Sequence, residues 1–333
     1  MKRIFVFALT ICLAGQTYAQ KRTRDFLLMS PSEKVETSLY NAIDVIDNRD
    51  FKENLGIIQV GLLNSKAQVI PEIPLEKQIQ QQLGFLVSGE KSDGALTLVI
   101  QKFAVAELTG AFSESGFFDF RASLFVKNKD KSYQRLATID TAHINNGMDV
   151  TKGLLRHASY IVSHFLKDNL GKSPTDTIRY SLSQVLDFEN LEKSKVTLYS
   201  NGIVNDGVYY DYFHFRDQLP QASVSLLNND ITKGFYSPDS NGKLKRLKAN
   251  KCYAVVIDGL AYISSEGTFY PLYKNDKDYF FNGLSRTTAS ASNIIAASVL
   301  FGALGTALAA NNTEYYVTKI DFYNGSFIKV SKL

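Results

Sequence analysis

The chain is poor in the residues that most often carry metal or covalent chemistry: 4 histidines and 2 cysteines in 333 residues. Cys12 lies within an N-terminal apolar run. If that run is removed, Cys252 alone remains, which excludes an intramolecular disulfide in any redox compartment. Its neighbours Tyr253 to Ile257 are apolar and strand-like, so a buried, inert thiol is expected. Stability must then come from hydrophobic cores, and a mature chain of about 310 residues is long enough for two of them. No basic stripe is present, which argues against nucleic acid as a partner. Acidic and basic residues are interspersed, as on an ordinary solvated surface.

Familiar catalytic signatures are also missing. No serine stands in a Gly-x-Ser-x-Gly elbow. Gly110 to Gly116 is a glycine-bounded loop without the lysine of a phosphate-binding loop. Asp239-Ser240-Asn241-Gly242 opens like a calcium loop, but Asn250 stands where the twelfth-position glutamate belongs, and a plain Asn-Gly turn accounts for it. Asp276 and Asp278 flank Lys277 in a polar turn of the kind any surface contains. His157 and His164 are seven apart and share one side of an expected helix. Metal pairs on a helix more often use a spacing of four with a carboxylate nearby, so boundary histidines are expected. No cofactor is expected.

What is present begins with an export signal. Lys2 and Arg3 precede the apolar run Ile4 to Gly15, and Thr17 and Ala19 place small residues at −3 and −1 of a cut before Gln20. The run is too short to span a bilayer. Ile11 stands where a lipidation signal requires a small residue before Cys12, so no lipid anchor is expected. Loss of Lys2 and Arg3 takes the formal charge from +4 to +2. The expected location is the periplasm or outer envelope, with membrane association left open.

Beyond the signal, Ser30-Pro31-Ser32-Glu33 fits a helix start, followed by Val35, Leu39, Ile43 and Ile46 on one helical face. Asn54 to Leu63 reads as a strand. Pro74 opens a helix with Leu75, Ile79 and Leu83 in register. Ala95 to Leu108, Phe117 to Asn128 and Leu136 to Ile144 read as three further strands. In the second of these Phe118, Phe120, Ala122, Leu124 and Val126 alternate onto one face. Asp149 is placed to cap a helix that ends at Gly171, with Leu154, Ala158, Ile161, Val162 and Phe165 as its buried stripe. The expected first domain, 25–172, is therefore a sheet with helices on one face. A linker and short helix over 173–194 follow.

Residues 195–333 hold 22 of the 40 aromatic residues and many hairpin signals. Asp258-Gly259 between two apolar runs is a strong two-residue turn. Asn241-Gly242, Glu266-Gly267 and Asn324-Gly325 mark others. The fold class expected for the whole chain is α+β, with the C-terminal half an all-β meander interrupted by an apolar helical segment.

Two features of that half are candidate contact surfaces. Tyr209, Tyr210, Tyr212, Phe269, Tyr270 and Tyr273 could form an aromatic binding face; pairing across strands within a core is the alternative. Thr287 to Thr313 carries no charge, and its apolar part, Ala289 to Ala310, is 22 residues, long enough to span a bilayer. Within it Ser298, Gly302, Thr306 and Ala310 recur every four residues, a helix-packing face of small side chains. A buried insertion between two strands is the other reading, since Asn293 and several hydroxyl residues dilute the hydrophobicity.

Two resemblances add to this. The strands LTLVIQKFAVAEL, FFDFRASLFVKN and RLATIDTAHI with the helix after them resemble periplasmic auxiliary components of ABC transporters and related small envelope lipoproteins, over about residues 50 to 170. The chain lacks that group's lipid-attachment cysteine. The segments LYSNGIVNDGVYYDYFHFRDQLP, KCYAVVIDGLAYIS, TFYPLYKNDKDYFF and YYVTKIDFYNGSF resemble uncharacterised secreted proteins of Bacteroidetes-type bacteria, over roughly 185 to 330. The resemblances imply an envelope setting and supply no activity or site residues. The functional expectation is a non-enzymatic envelope or periplasmic binding or assembly protein. Its partner would be another envelope protein or a second copy of the chain, with membrane contact through 289–310. A secreted hydrolase or carbohydrate-binding protein using the aromatic sheet is the alternative.

Overall fold

The computed structural model describes residues 22–49, 52–61, 65–109, 114–148, 150–203, 205–285 and 314–333. The export signal with its cut before Gln20, the Asp149 cap, the start of the 110–116 loop, and the apolar segment with Ser298, Gly302, Thr306 and Ala310 lie outside the described residues.

The protein is α+β and mostly strand, 49% against 22% helix. The N-terminal half runs β1 (Thr23–Phe26), β2 (Val35–Asp47), β3 (Gly56–Val60), β4 (Ser65–Pro71), α1 (Leu75–Leu86), β5 (Val87–Thr109), β6 (Glu114–Lys127), β7 (Tyr133–Gly147) and α2 (Thr151–Lys167). The strands form one mixed seven-stranded sheet in the order β1-β4-β3-β5-β6-β7, with β2 pairing parallel to the N-terminal part of β5. Alternation along β6 turns Phe118, Phe120, Ala122 and Leu124 inward, where they meet Leu75, Ile79, Leu83 and Leu86 of α1 and Leu154, Ala158 and Val162 of α2. These are the apolar stripes expected for the two helices, and each helix lies on the same face of the sheet.

The expected helix over residues 30–46 is a strand instead. Val35–Asp47 is β2, and its ladder with β5 shifts register in three places, at 35/37, 38/40 and 40/42. Each irregularity breaks the two-residue alternation, so the buried side chains fall at Ser38, Tyr40, Ile43 and Asp47. Of the four residues that suggested a helix, only Ile43 is buried; Val35 and Ile46 are half-buried and Leu39 is exposed. β5 carries glycine where β2 comes closest: a Cβ at Gly94 would stand 2.3 Å from the Leu39 carbonyl oxygen.

The segment expected as a linker folds against the opposite face of the sheet. Tyr180 pairs with Tyr133 through two 2.8 Å backbone hydrogen bonds. After it come α3 (Leu182–Leu186) and α4 (Phe188–Ser194), two short helices where one was expected. Ser181 and Gln184 form a reciprocal capping box that starts the first. Tyr180, Val185 and Phe188 pack on Val99, Phe125 and Tyr133 as a separate apolar cluster. The first sheet is thus covered on both faces, and residues beyond 172 complete its packing.

The C-terminal half continues with α5 (Thr197–Ser200), β8 (Gly207–Tyr209), α6 (Tyr212–Arg216), β9 (Ser225–Leu226), β10 (Phe235–Pro238), β11 (Leu244–Arg246), β12 (Ala254–Ile257), β13 (Leu260–Ser265), β14 (Thr268–Asn275), β15 (Asp278–Ser285), β16 (Glu314–Ile320) and β17 (Phe327–Lys332). Strands β12 to β17 are the expected antiparallel meander, with β8 added beyond β12. Asp258 and Gly259 take φ of 52° and 73° at the β12–β13 turn, the left-handed pair that a two-residue hairpin requires. One face of this sheet buries Ala254, Val256, Ile263, Tyr270 and Phe281 beneath Leu198, Tyr199, Tyr212 and Phe215. The other face buries Val208 and Val255 with Phe235, which belongs to the small sheet β11-β10-β9. Cys252 is buried there, and burial pushes its thiol pKa up to about 11, as an inert thiol requires.

A polar lock joins the two sheets. The hairpin between β16 and β17 reaches the outer face of the first sheet, where Arg121 holds Asp140 at 2.8 Å and Asp321 at 3.0 Å. Lys102 pairs with the same Asp321 oxygen as Arg121 does. The Tyr323 ring lies 4.5 Å from the Arg121 guanidinium, and Asn324 donates to Asp140 at 3.2 Å. Burial acts to raise the Asp321 pKa, but the Lys102 and Arg121 charges outweigh it and hold the carboxyl well below its usual range.

Candidate functional site

A groove of about 380 Å³ opens along the solvent side of α2. Its far wall is the extended segment 29–33, the residues expected to begin a helix. Two glutamines explain why that segment lies there. Gln78 and Gln82 sit on the inward face of α1, each 1% exposed. Gln78 accepts from the Leu28 amide at 2.7 Å and donates to the Phe26 carbonyl at 3.1 Å. Gln82 donates to the Met29 carbonyl at 3.1 Å and accepts from the Ser163 hydroxyl at 3.1 Å. Ser159 accepts from the Met29 amide at 3.2 Å while donating to the Leu155 carbonyl. Side chains thus anchor the backbone at Leu28 and Met29, and residues 30–33 continue from that anchor, largely exposed.

Met29, Pro31, Leu86 and Tyr160 give the groove apolar surface. Ser30, Ser32, Ser159 and Ser163 give it hydroxyls, and Arg156, Lys167, His157 and His164 give it nitrogen groups. Glu33 is the one carboxylate in the lining, and it pairs with Lys167 across the groove. Arg156 is exposed and makes no ion pair among the described residues. His164 lies 3.2 Å from Asp168 and stacks on Tyr160 with ring centres 5.2 Å apart. His157 stacks on His143 of β7 at 3.6 Å. Burial, and next the neighbouring His143, push the His157 pKa below its ordinary value.

Both histidines noted in the sequence line this groove, seven residues apart on the same side of α2. No group of three or more histidine, cysteine or carboxylate side chains suited to a metal ion occurs among the described residues. Asp239 receives the Asn241 and Lys243 amides at 2.9 and 3.0 Å and closes an ordinary turn. Asp278 is held between Lys193 and Lys319 at 2.8 and 2.9 Å, a structural pairing.

The aromatic face is corrected. Tyr209, Tyr212 and Tyr270 are buried in the core of the second sheet. Phe269 packs against Phe235 under the three-stranded sheet. Tyr210 and Tyr273 are exposed, the first beside the edge strand β8 and the second on β14. The six do not form one exposed face, because both sides of the sheet are covered by other elements.

The fold and groove define an α+β protein with two large sheets and one small one, and a mixed apolar and cationic cleft on one helix. No family model matches the chain, and no curated protein matches it. Among solved structures it is similar to a protein from Xanthomonas campestris described as XCC0632, family-model DUF330. Identity is 8%, coverage 51% of this chain and 99% of that one, and the TM-score 0.30. A second, described only as an uncharacterized protein, gives 8% identity, coverage of 44% and 96%, and a TM-score of 0.23. Neither lends this chain an activity or a residue role.

Proposed function

We propose that this is an exported, non-enzymatic binding or assembly protein of the bacterial envelope, and that the α2 groove is its recognition site. The carrying observation is the groove itself: apolar walls, a few convergent polar side chains, and a backbone strap fixed by buried glutamines. A cleft of this size and composition is what ligand-binding sites have in common. The signal-like N-terminus and the two family resemblances support the envelope setting. Partners on this reading are another envelope protein or a second copy, with membrane contact through 289–310. No helix among the described residues is long and apolar enough to cross a membrane, and 289–310 lies outside them. The competing reading, a hydrolase or sugar-binding protein acting through the aromatic sheet, loses its main support with Tyr209, Tyr212 and Tyr270 in the core.

The test is site-specific photocrosslinking in the native envelope. A photoreactive residue in place of Tyr160, in the groove, is compared with one in place of Lys129, in the turn after β6. Adducts specific to position 160 are expected. Identical adduct patterns at both positions would remove the groove from the reading.

A further inference from the structure

We infer that the α2 groove takes a small acid with an apolar body, of the fatty-carboxylate class. This rests on the binding-protein reading of the groove and names the chemistry of its occupant. Volume comes first. At about 30 Å³ per water-sized group, 380 Å³ accommodates roughly a dozen non-hydrogen atoms. That is much more than a bare inorganic anion fills.

Charge comes second. Lys167 is matched by Glu33, so the pair adds no net charge to the groove. Arg156 is left as a guanidinium with no ion pair among the described residues. A planar fork of donors fits a carboxylate in a bidentate manner better than any neutral head group. A cationic ligand would meet Arg156 as a like charge. The apolar walls from Met29, Pro31 and Tyr160 then suit a chain or ring behind the carboxylate, since removing apolar area from water is what such walls offer.

The experiment is calorimetric titration of the full chain with decanoate, acetate and decyltrimethylammonium, each below its micelle concentration. Saturable binding of one decanoate per chain is expected, with acetate and the cation weaker by at least tenfold. Arg156→Gln is expected to weaken decanoate about tenfold, equivalent to about 1.4 kcal/mol. Tyr160→Ala, which removes a wall and leaves Arg156 in place, is expected to weaken decanoate while keeping its preference over the cation. Both side chains are exposed, so unchanged thermal unfolding is expected of both variants. Lys129→Gln controls for overall charge and is expected to bind as the wild type does. Equal binding of decanoate and the cation, or an Arg156→Gln affinity equal to wild type, would overturn the acid-binding inference. Failure of decanoate to bind beside position-160-specific crosslinks would overturn this inference alone and leave the binding-protein reading in place.

Discussion

Asp321 and Arg121 stand 200 positions apart in the chain, and their side chains meet at 3.0 Å. Both are nearly closed off from solvent, at 3% and 4% exposure. Such a pair adds little as a net attraction, because both charges lose their hydration. Its consequence appears when one member is removed. Asp321→Asn would leave Lys102 beside Arg121 with only Asp140 to neutralise them. We expect a loss of about 3 kcal/mol in unfolding free energy, read by urea denaturation. Arg121→Gln combined with Asp321→Asn should cost less than the sum of the two single changes. Strict additivity would show that the two side chains do not share an interaction.

The same contact makes stability depend on acid. The Asp321 carboxyl is held below the usual carboxylate range in the folded state, while the unfolded chain titrates near the ordinary value of about 3.9. Because the folded pKa is the lower one, the contribution is fully present above the unfolded value. It is lost as pH falls through the interval down to the folded value. We expect the stability gap between wild type and Asp321→Asn to be constant near neutrality and to shrink below about pH 4. A gap unchanged down to pH 2 would place the acid sensitivity elsewhere.

Parts of this architecture are legible from residue order because local chemistry agrees with tertiary need. Asp258-Gly259 supplies positive φ at the position where β12 must turn into β13. Phe118 to Leu124 alternate cleanly because β6 lies mid-sheet with a helical layer beneath it. β2 misleads because Val35, Leu39, Ile43 and Ile46 recur at helical spacing, although three register shifts set its buried positions at Ser38, Tyr40, Ile43 and Asp47. The aromatic residues mislead for a different reason. Strand periodicity says that Tyr270 and Tyr273 point to opposite sides, but not which positions another element will cover. The groove is legible only in part. His157 and His164 appear on one helical face, whereas the start of the segment 29–33 is anchored by Gln82 and, through Leu28, by Gln78, residues that share the apolar face of α1 but whose distant backbone partners residue order does not reveal.

Packing on the outer face of the first sheet bears on where the first folding unit ends. A fragment of residues 22–172 would expose Val99, Phe125 and Tyr133, which the full chain covers with Tyr180, Val185 and Phe188. Fully burying one such side chain is worth about 1.5–3 kcal/mol. We expect a 22–196 fragment to unfold cooperatively, and at a distinctly higher temperature than 22–172. Equal midpoints would mean that α3 and α4 contribute nothing to the first sheet.

The strap over α2 links stability to recognition through Gln82. Its amide donates to the Leu28 and Met29 carbonyls and its oxygen accepts from Ser163, with Gln82 itself only 1% exposed. Gln82→Leu keeps the bulk of the side chain and removes all three bonds, leaving the buried Leu28 carbonyl and the buried Ser163 hydroxyl without that partner. Such unpaired groups cost about 1–3 kcal/mol each, so a fall in thermal midpoint is expected. The more telling readout is local. If Gln82 positions the groove wall, amide hydrogen exchange should accelerate across residues 28–33 while the strands of the second sheet keep wild-type protection. Decanoate affinity should fall with it, although Gln82 does not line the groove. Uniform acceleration over the whole chain would instead assign Gln82 to global packing, with no particular hold on the strap.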